Sequence, residues 1–251
     1  MNRQIDAGPS LLRLGDRERV DWHLHADHQL AYPGVGILRV ATRMGSWIVP
    51  PLRAVWLPAG TEHAHRANGP TQLHALAFPP ELDPFGSPDP TVVAVPPLLR
   101  EIIRALTDPG AEPALSAADR DALAGVLLHS LRPVSAVRLH LPRPFDDRLA
   151  GVTDALIRDP LDRRSLAELG AAVGAGERTL SRLFRSQTGM TFPQWRAQAR
   201  LHHGLVLLTT GKPVTAVADA CGYANSSAFT AAFREAFGVT PARYAQETRG
   251  Q

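Results

Sequence analysis

The chain has 251 residues, 44% of them apolar, and a formal net charge of +3, which suits two modest globular domains rather than a disordered or fibrous chain. No apolar run approaches a membrane span, the opening Met-Asn-Arg-Gln-Ile-Asp lacks the apolar core of a signal peptide, and the single Cys221 cannot form an internal disulfide. A cytoplasmic protein with no membrane partner is therefore expected, and its cations are nearly all arginine, Lys212 being the one lysine.

Residues before about Val20 carry little pattern. From Asp21 to about Phe78 the chain reads as strands and turns. Gly36–Thr42, Trp47–Val49, Ala54–Leu57 and His74–Phe78 are short apolar runs, punctuated at Pro33-Gly34, Pro50-Pro51, Pro58-Ala59-Gly60 and Gly69-Pro70. Many short strands with such turns predict a sandwich or barrel.

Within this region His23-x-His25-x-x-x-Gln29 is followed later by Pro58-x-Gly60-x-x-His63. Strand side chains alternate between faces, so His23 and His25 are expected on one side, with Gln29 and His63 able to join them. The spacing resembles the two motifs of the cupin barrel, with Gln29 where the first motif usually has Glu. The resemblance implies either a divalent transition metal or a small organic effector at His23, His25, Gln29 and His63. Trp47 and Trp56 are candidate apolar walls for the organic case. The competing reading is that these histidines only hydrogen-bond inside the barrel. His28, His65 and His74 fall nearby without an assigned role.

Glu81–Pro97 is proline-rich and reads as a connector leaving the barrel. Two helices are predicted next, over Leu98–Thr107 and Ser116–Leu131. The second opens on a Ser116/Asp119 capping box and carries Leu123, Val126, Leu127 and Leu131 on one face. That face either docks on the barrel or pairs two subunits, so a homodimer is one expectation. Val137, Leu139 and Leu141 alternate like a strand before Pro142-Arg143-Pro144, and Asp146 or Asp147 caps a helix to about Arg158.

The remainder is a repeat. Phe184-Arg185, Gly189, Thr191 and Trp195 recur 49 positions later as Phe233-Arg234, Gly238, Thr240 and Tyr244. A fixed-period echo predicts two copies of one supersecondary unit. Each copy reads as helix, turn, helix: Leu166–Ala172 and Glu177–Gln187, then Val214–Cys221 and Ser226–Phe237. Leu180, Leu183 and Phe184 fall on one face of the second helix of the first copy. Arg178, Ser181, Arg182 and Arg185 fall on the other, at i, i+3, i+4 and i+7. In the second copy the outward stripe is Ser227, Thr230, Ala231 and Arg234. Gly189 and Gly238 are placed to end their helices with left-handed caps. Between the copies, Thr191-x-x-Gln194 opens a helix to about Thr209, roughly 27 Å long at 1.5 Å per residue. Successive major-groove faces lie about 34 Å apart, so this connector suits two reading helices.

Arg178-Thr179-Leu180-Ser181-Arg182-Leu183-Phe184, Thr188-Gly189-Met190-Thr191, Gly222-Tyr223, Ser227-Ala228-Phe229, Phe233-Arg234 and Phe237-Gly238-Val239-Thr240-Pro241 resemble the DNA-binding domain of AraC/XylS-type transcription regulators. The resemblance implies a fold of the α+β multidomain class: an N-terminal cupin-like β-barrel with docked helices and a C-terminal all-α double helix-turn-helix domain. The divisions expected are 1–83 for the sensor barrel, 84–144 for the connector, docking or dimerisation helices and linker, and 145–251 for the DNA-binding domain. The implied partner is double-stranded promoter DNA, with a small-molecule or metal effector. Carried onto this chain, the family's base-reading positions are Arg178, Ser181 and Arg182 in the first copy and Ser226, Ser227 and Ala231 in the second; base contacts in the second copy are expected from Ser226, Ser227 and Thr230, because the Ala231 methyl cannot make a bidentate contact. Arg185 and Arg234 lie a turn further on and are expected to meet phosphate. No glycine-rich phosphate loop or nucleophile elbow is present. The protein is accordingly read as a regulator rather than an enzyme. The alternatives are a cupin oxygenase or isomerase fused to a DNA-binding domain, and a DNA-bending structural protein.

Overall fold

The computed structural model describes residues 9–108, 110, 115–134 and 139–249. They form two compact units, one drawn from residues 9–42 and 48–134, the other from 43–47 and 139–249. Among the described residues no helix is long and apolar enough to cross a membrane.

The first unit is an antiparallel sheet with two helices. Its strands are β1 (Ser10–Leu14), β2 (Arg19–His23), β3 (His28–Thr42), the later part of β4 (Gly45–Val49), β5 (Arg53–Leu57), β6 (His63–Phe78) and β7 (Thr91–Ala94). β3 and β6 pair along nearly their whole length, β1 and β2 pair with β6, β5 pairs with β3, and β7 with β5. β3 is too long to stay straight. Thr42 at its end pairs with His63, and Gln29 at its start bonds the same histidine. These positions would be roughly 40 Å apart in a flat strand. The sheet therefore curls back on itself, as a barrel requires. The register shifts at Pro33/Val35 and Val35/Ile37 supply the bend. Between them Gly36 adopts φ 78°, and a Cβ there would lie 2.3 Å from the Pro70 carbonyl oxygen, so no other residue fits the turn.

Two segments differ from the sequence expectation. The patternless N-terminal stretch contains β1, and the proline-rich connector contains β7, whose Val92 and Val93 are buried. Four and five residues are too short a window for periodicity to register. Helices α1 (Pro97–Thr107) and α2 (Ala117–Ser130) cover one sheet face: Leu30, Tyr32, Trp56, Leu76, Phe78 and Val93 pack with Leu99, Ile102, Ile103, Leu127 and Leu131. The Ser116/Asp119 capping box is formed as expected. Val126 is exposed, so the buried stripe runs through Leu127 and Leu131 and excludes it.

In the second unit, Gly45–Trp47 pairs with β8 (His140–Pro142), and helices α3 (Asp147–Arg158), α4 (Leu166–Ala172) and α5 (Glu177–Leu183) follow. Asp146 is the residue that caps α3, accepting from the Arg148 and Leu149 amides. The Val137–Leu141 alternation lies partly outside the described residues; its described end is β8. α5 stops at Leu183, short of the expected Gln187, and passes into one π-helical turn, Phe184–Thr188. Then come α6 (Phe192–Thr209), α7 (Val214–Ala220), α8 (Ser226–Phe237) and α9 (Pro241–Arg249). Gly189 and Gly238 cap their helices at φ 68° and 77°.

The repeat is physical. Leu180 and Phe229, Phe184 and Phe233, and Trp195 and Tyr244 are all buried at equivalent places. α6 serves both copies. Phe192, Trp195 and Ala199 pack with Leu149, Leu166, Leu169, Leu180 and Phe184. Further along, α6 brings Gly204 so close to Phe229 and Cys221 that a Cβ would lie 2.9–3.0 Å from them. The capping box at α4 is reciprocal: the Ser165 hydroxyl accepts from the Glu168 amide at 3.2 Å, and the Glu168 carboxylate accepts from the Ser165 amide at 2.7 Å. Ser165→Ala should therefore cost about 1 kcal/mol in urea denaturation, and Ser165→Gly only a few tenths. Equal losses would mean that the hydroxyl does not cap.

Candidate DNA interface and imidazole cluster

The solvent face of the first copy is built by exclusion. Burial of Leu180 and Phe184 turns the opposite side of α5 to solvent, and Arg178, Ser181, Arg182, Arg185 and Ser186 line a groove of about 490 Å³ there. Arg178, Arg182 and Arg185 are exposed, and none pairs with a carboxylate among the described residues. Three unpaired guanidiniums on one face gain nothing from the fold; their natural complement is an anionic surface. Nearby arginines are used differently. Arg196 donates to the Arg164 carbonyl and Arg200 to the Pro160 carbonyl, so both tie α6 to the loop before α4.

The second copy presents the same face with different chemistry. The Asn225 side chain caps α8 by accepting from the Ala228 amide at 2.8 Å. Ser227, Ala231 and Arg234 are exposed and Ser226 and Thr230 half-buried. Ala231 occupies the place of an arginine-bearing position one repeat earlier.

The first unit gathers the expected histidines by a different route from the one the spacing implies. β2 ends at His23, so His25 lies beyond the strand rather than on its face. Its ring still lies 4.9 Å from that of His23 and 5.4 Å from that of His63. Ligand nitrogens of His23, His25 and His63 all fall within 4.8 Å of one another. Gln29 joins them: its side-chain oxygen is 3.1 Å from His63 Nε2 and its nitrogen 3.3 Å from His25 Nε2. His65 also enters, with Nε2 at 3.3 Å from the Gln29 oxygen. The His63-x-His65 alternation on one strand was the signal that could have found it. His28 and His74 lie elsewhere, bonded to Pro80 and Thr107. The expected tryptophan wall is absent from the cluster. Trp56 packs with the sheet face under α1 and α2, and Trp47 stacks on His140 in the second unit.

The tautomers follow from carbonyls, which can only accept. His23 Nδ1 donates to the Asp21 carbonyl at 2.6 Å, and His63 Nδ1 to the Thr61 carbonyl at 2.7 Å. In each neutral ring the lone pair is therefore on Nε2. His23 Nε2 is buried with no hydrogen-bond partner. Burial drives His63 down to about 4, the neighbouring His23 and His25 adding to the effect, and holds His65 well below the ordinary histidine value. His63 therefore offers a lone pair rather than a proton near neutrality.

Residues 169–247 match a family model for a helix-turn-helix domain. Over 229 residues the chain is 31% identical to the HTH-type transcriptional regulator NimR of Escherichia coli, covering 88% of this chain and 81% of that protein. It is 36% identical over 110 residues to the regulator RipA of Corynebacterium glutamicum, covering 44% of this chain and 32% of that one. Among solved structures, ToxT from Vibrio cholerae aligns at 12% identity and a TM-score of 0.43, covering 97% of this chain and 98% of that one.

Proposed function

The chain belongs to the AraC/XylS family of DNA-binding transcription regulators, and from that premise we propose that its sensor barrel answers to a borderline divalent metal held by His23, His25 and His63. The observation that carries the reading is the pair of Nδ1–H groups committed to the Asp21 and Thr61 carbonyls. Backbone carbonyls behind ligating imidazoles fix the tautomer and aim Nε2 at a metal. The orphaned His23 Nε2 supports the fit. A neutral nitrogen set suits zinc or nickel and disfavours calcium and magnesium, which take oxygen shells. Metal binding would then bias the arrangement that binds promoter DNA, through a difference in affinity between two states.

Gln29 favours a second reading. With its oxygen 3.1 Å from the His63 Nε2 lone pair, two acceptors face each other. Rotating the amide by half a turn removes the conflict and satisfies His63 without a metal. In that form the cluster would take an organic molecule by hydrogen bonds.

Metal analysis of the purified protein separates the two, followed by promoter binding with and without chelator on wild type and on His23→Ala/His63→Ala. Stoichiometric metal that is lost in the variant, with chelator-sensitive DNA binding, is expected. A ligand-induced thermal shift that survives chelation would replace the metal by an organic effector. Turnover by the metal-loaded protein on cupin-type substrates would instead favour the enzyme reading. Gln29→Glu gives an independent check. It sets a negative oxygen opposite the His63 lone pair, an arrangement that a bound cation relieves, so metal affinity should rise about tenfold, or 1.4 kcal/mol. A fall in affinity on that change would exclude Gln29 from the coordination shell.

A further inference from the structure

On the face of the sensor sheet opposite the histidines, three adjacent strands carry arginine in register. Arg19 of β2 is paired with Arg66 of β6, and Arg66 with Arg39 of β3. His65 and Ala67, flanking Arg66, are buried on the histidine side, as are Leu38 and Val40 flanking Arg39. Like charges directly opposite one another in a sheet are destabilising, and this row has three. The fold does not neutralise them. The one acid felt by Arg66 is Asp16, whose carboxylate is taken up by the Gly69 amide at 2.8 Å and by Arg17 at 3.7 Å. Among the described residues no carboxylate is paired with Arg19, Arg39 or Arg66.

Two donors beside the row are orphaned. Arg66 Nε and Asn68 Nδ2 are buried without a hydrogen-bond partner, and the two residues share a strand face. Every unsatisfied group here is a donor, and every uncompensated charge positive. Burial and the neighbouring guanidiniums both press Arg39 and Arg66 below the ordinary arginine value. Arg17, in the turn beside them, is the non-glycine residue held at positive φ, 61°.

We propose that Arg39, Arg66 and Asn68, with Arg19 at the rim, form a site for a phosphate-class oxyanion on this face of the sensor unit, separate from the imidazole cluster. Guanidinium forks match tetrahedral oxyanions bidentately, and such an ion would accept from Arg66 Nε and Asn68 while cancelling the row's repulsion. Because β2 and β6 also carry His23, His63 and His65 on their other face, the site is placed to report a second signal to the same barrel.

The test is thermal unfolding of the full chain in inorganic phosphate and in methyl phosphate, each against sodium chloride at equal ionic strength. Phosphate should raise the midpoint and the rise should saturate, as site binding requires. R39Q/R66Q should lose that rise while keeping its DNA-domain arginines, and in chloride it should melt no lower than wild type because repulsion is relieved. R66K, which keeps the charge and loses the fork, should weaken the phosphate response about tenfold, and it serves alone if the double variant does not fold. A shift with both anions places a phosphomonoester in the site; a shift with inorganic phosphate alone confines it to the free ion. The proposal is overturned if wild type responds to phosphate no more than to chloride, or if R39Q/R66Q or R66K retains the full response.

Discussion

Acidification from pH 7 to pH 5 should destabilise the N-terminal unit by several kcal/mol. His63 and His74 are both pushed down to about 4, first by burial. The sign is fixed by which state binds the proton. In the unfolded chain each imidazole protonates near 6.5, whereas the folded ring resists until about 4. Between those values the unfolded state holds more protons, so stability falls as pH falls, and the loss levels off below the folded value. At pH 5 the cost is roughly 2 kcal/mol for each of the two rings, and His65, held down in the same direction, adds to it. Urea titrations at half-unit pH steps measure this. The slope between pH 6 and 4.5 should correspond to an uptake of about two protons or more on unfolding. His74→Asn keeps a donor for the Thr107 hydroxyl and removes one titration, so its slope should fall by about 1.4 kcal/mol per pH unit. A flat profile in wild type would mean that these rings are not buried in solution.

Much of the second unit was legible because its signals are local. A capping box spans three residues, a left-handed glycine cap needs one, and the 49-residue echo restates each element, Phe184 as Phe233 and Trp195 as Tyr244. The boundaries at Leu166, Ser226 and Phe237 follow from such chemistry. The π-helical turn at Phe184–Thr188 was not legible. Its inward residues fall where an α-helical period also puts them, and its Thr188 hydroxyl donates to the Phe184 carbonyl at 2.7 Å, a contact that an ordinary helical turn also allows.

The N-terminal unit was harder for the opposite reason. Its contacts are long-range, and its geometry comes from bulges at Val35 and from closure of β3 onto His63. Alternation put His23 and His25 together for a reason that does not hold, since the strand ends between them. The cluster forms because the chain turns back beyond β2. The arginine row is invisible to any local pattern: Arg19, Arg39 and Arg66 are unremarkable in sequence and become neighbours only through the pairing of β2, β6 and β3.

The two copies of the repeat should read DNA unequally. Arg178, Ser181 and Arg182 stand on the exposed side of a helix whose other side is fixed by Leu180 and Phe184. Side chains near the start of a reading helix reach base edges, and an arginine there makes the commonest specific contact, a fork onto guanine. Arg182→Ala should therefore cost about 1–3 kcal/mol on the preferred site and relax the preference at one base pair. Arg185→Ala, a turn further on, should weaken binding to preferred and scrambled sites alike and flatten the salt dependence by about one unit of slope. In the second copy Ala231 takes the place of Arg182, and its exposed methyl cannot fork to a base. Arg234 is left to meet phosphate, with Ser226, Ser227 and Thr230 offering single hydroxyl contacts. A binding motif selected from random DNA should be sharp over one major-groove segment and diffuse one helical turn away. Ala231→Arg should sharpen the diffuse segment, because it restores the fork at the equivalent place on α8. Equal losses on both sites for Arg182→Ala would remove base reading from that residue, and two equally sharp segments in a single chain's footprint would remove the asymmetry.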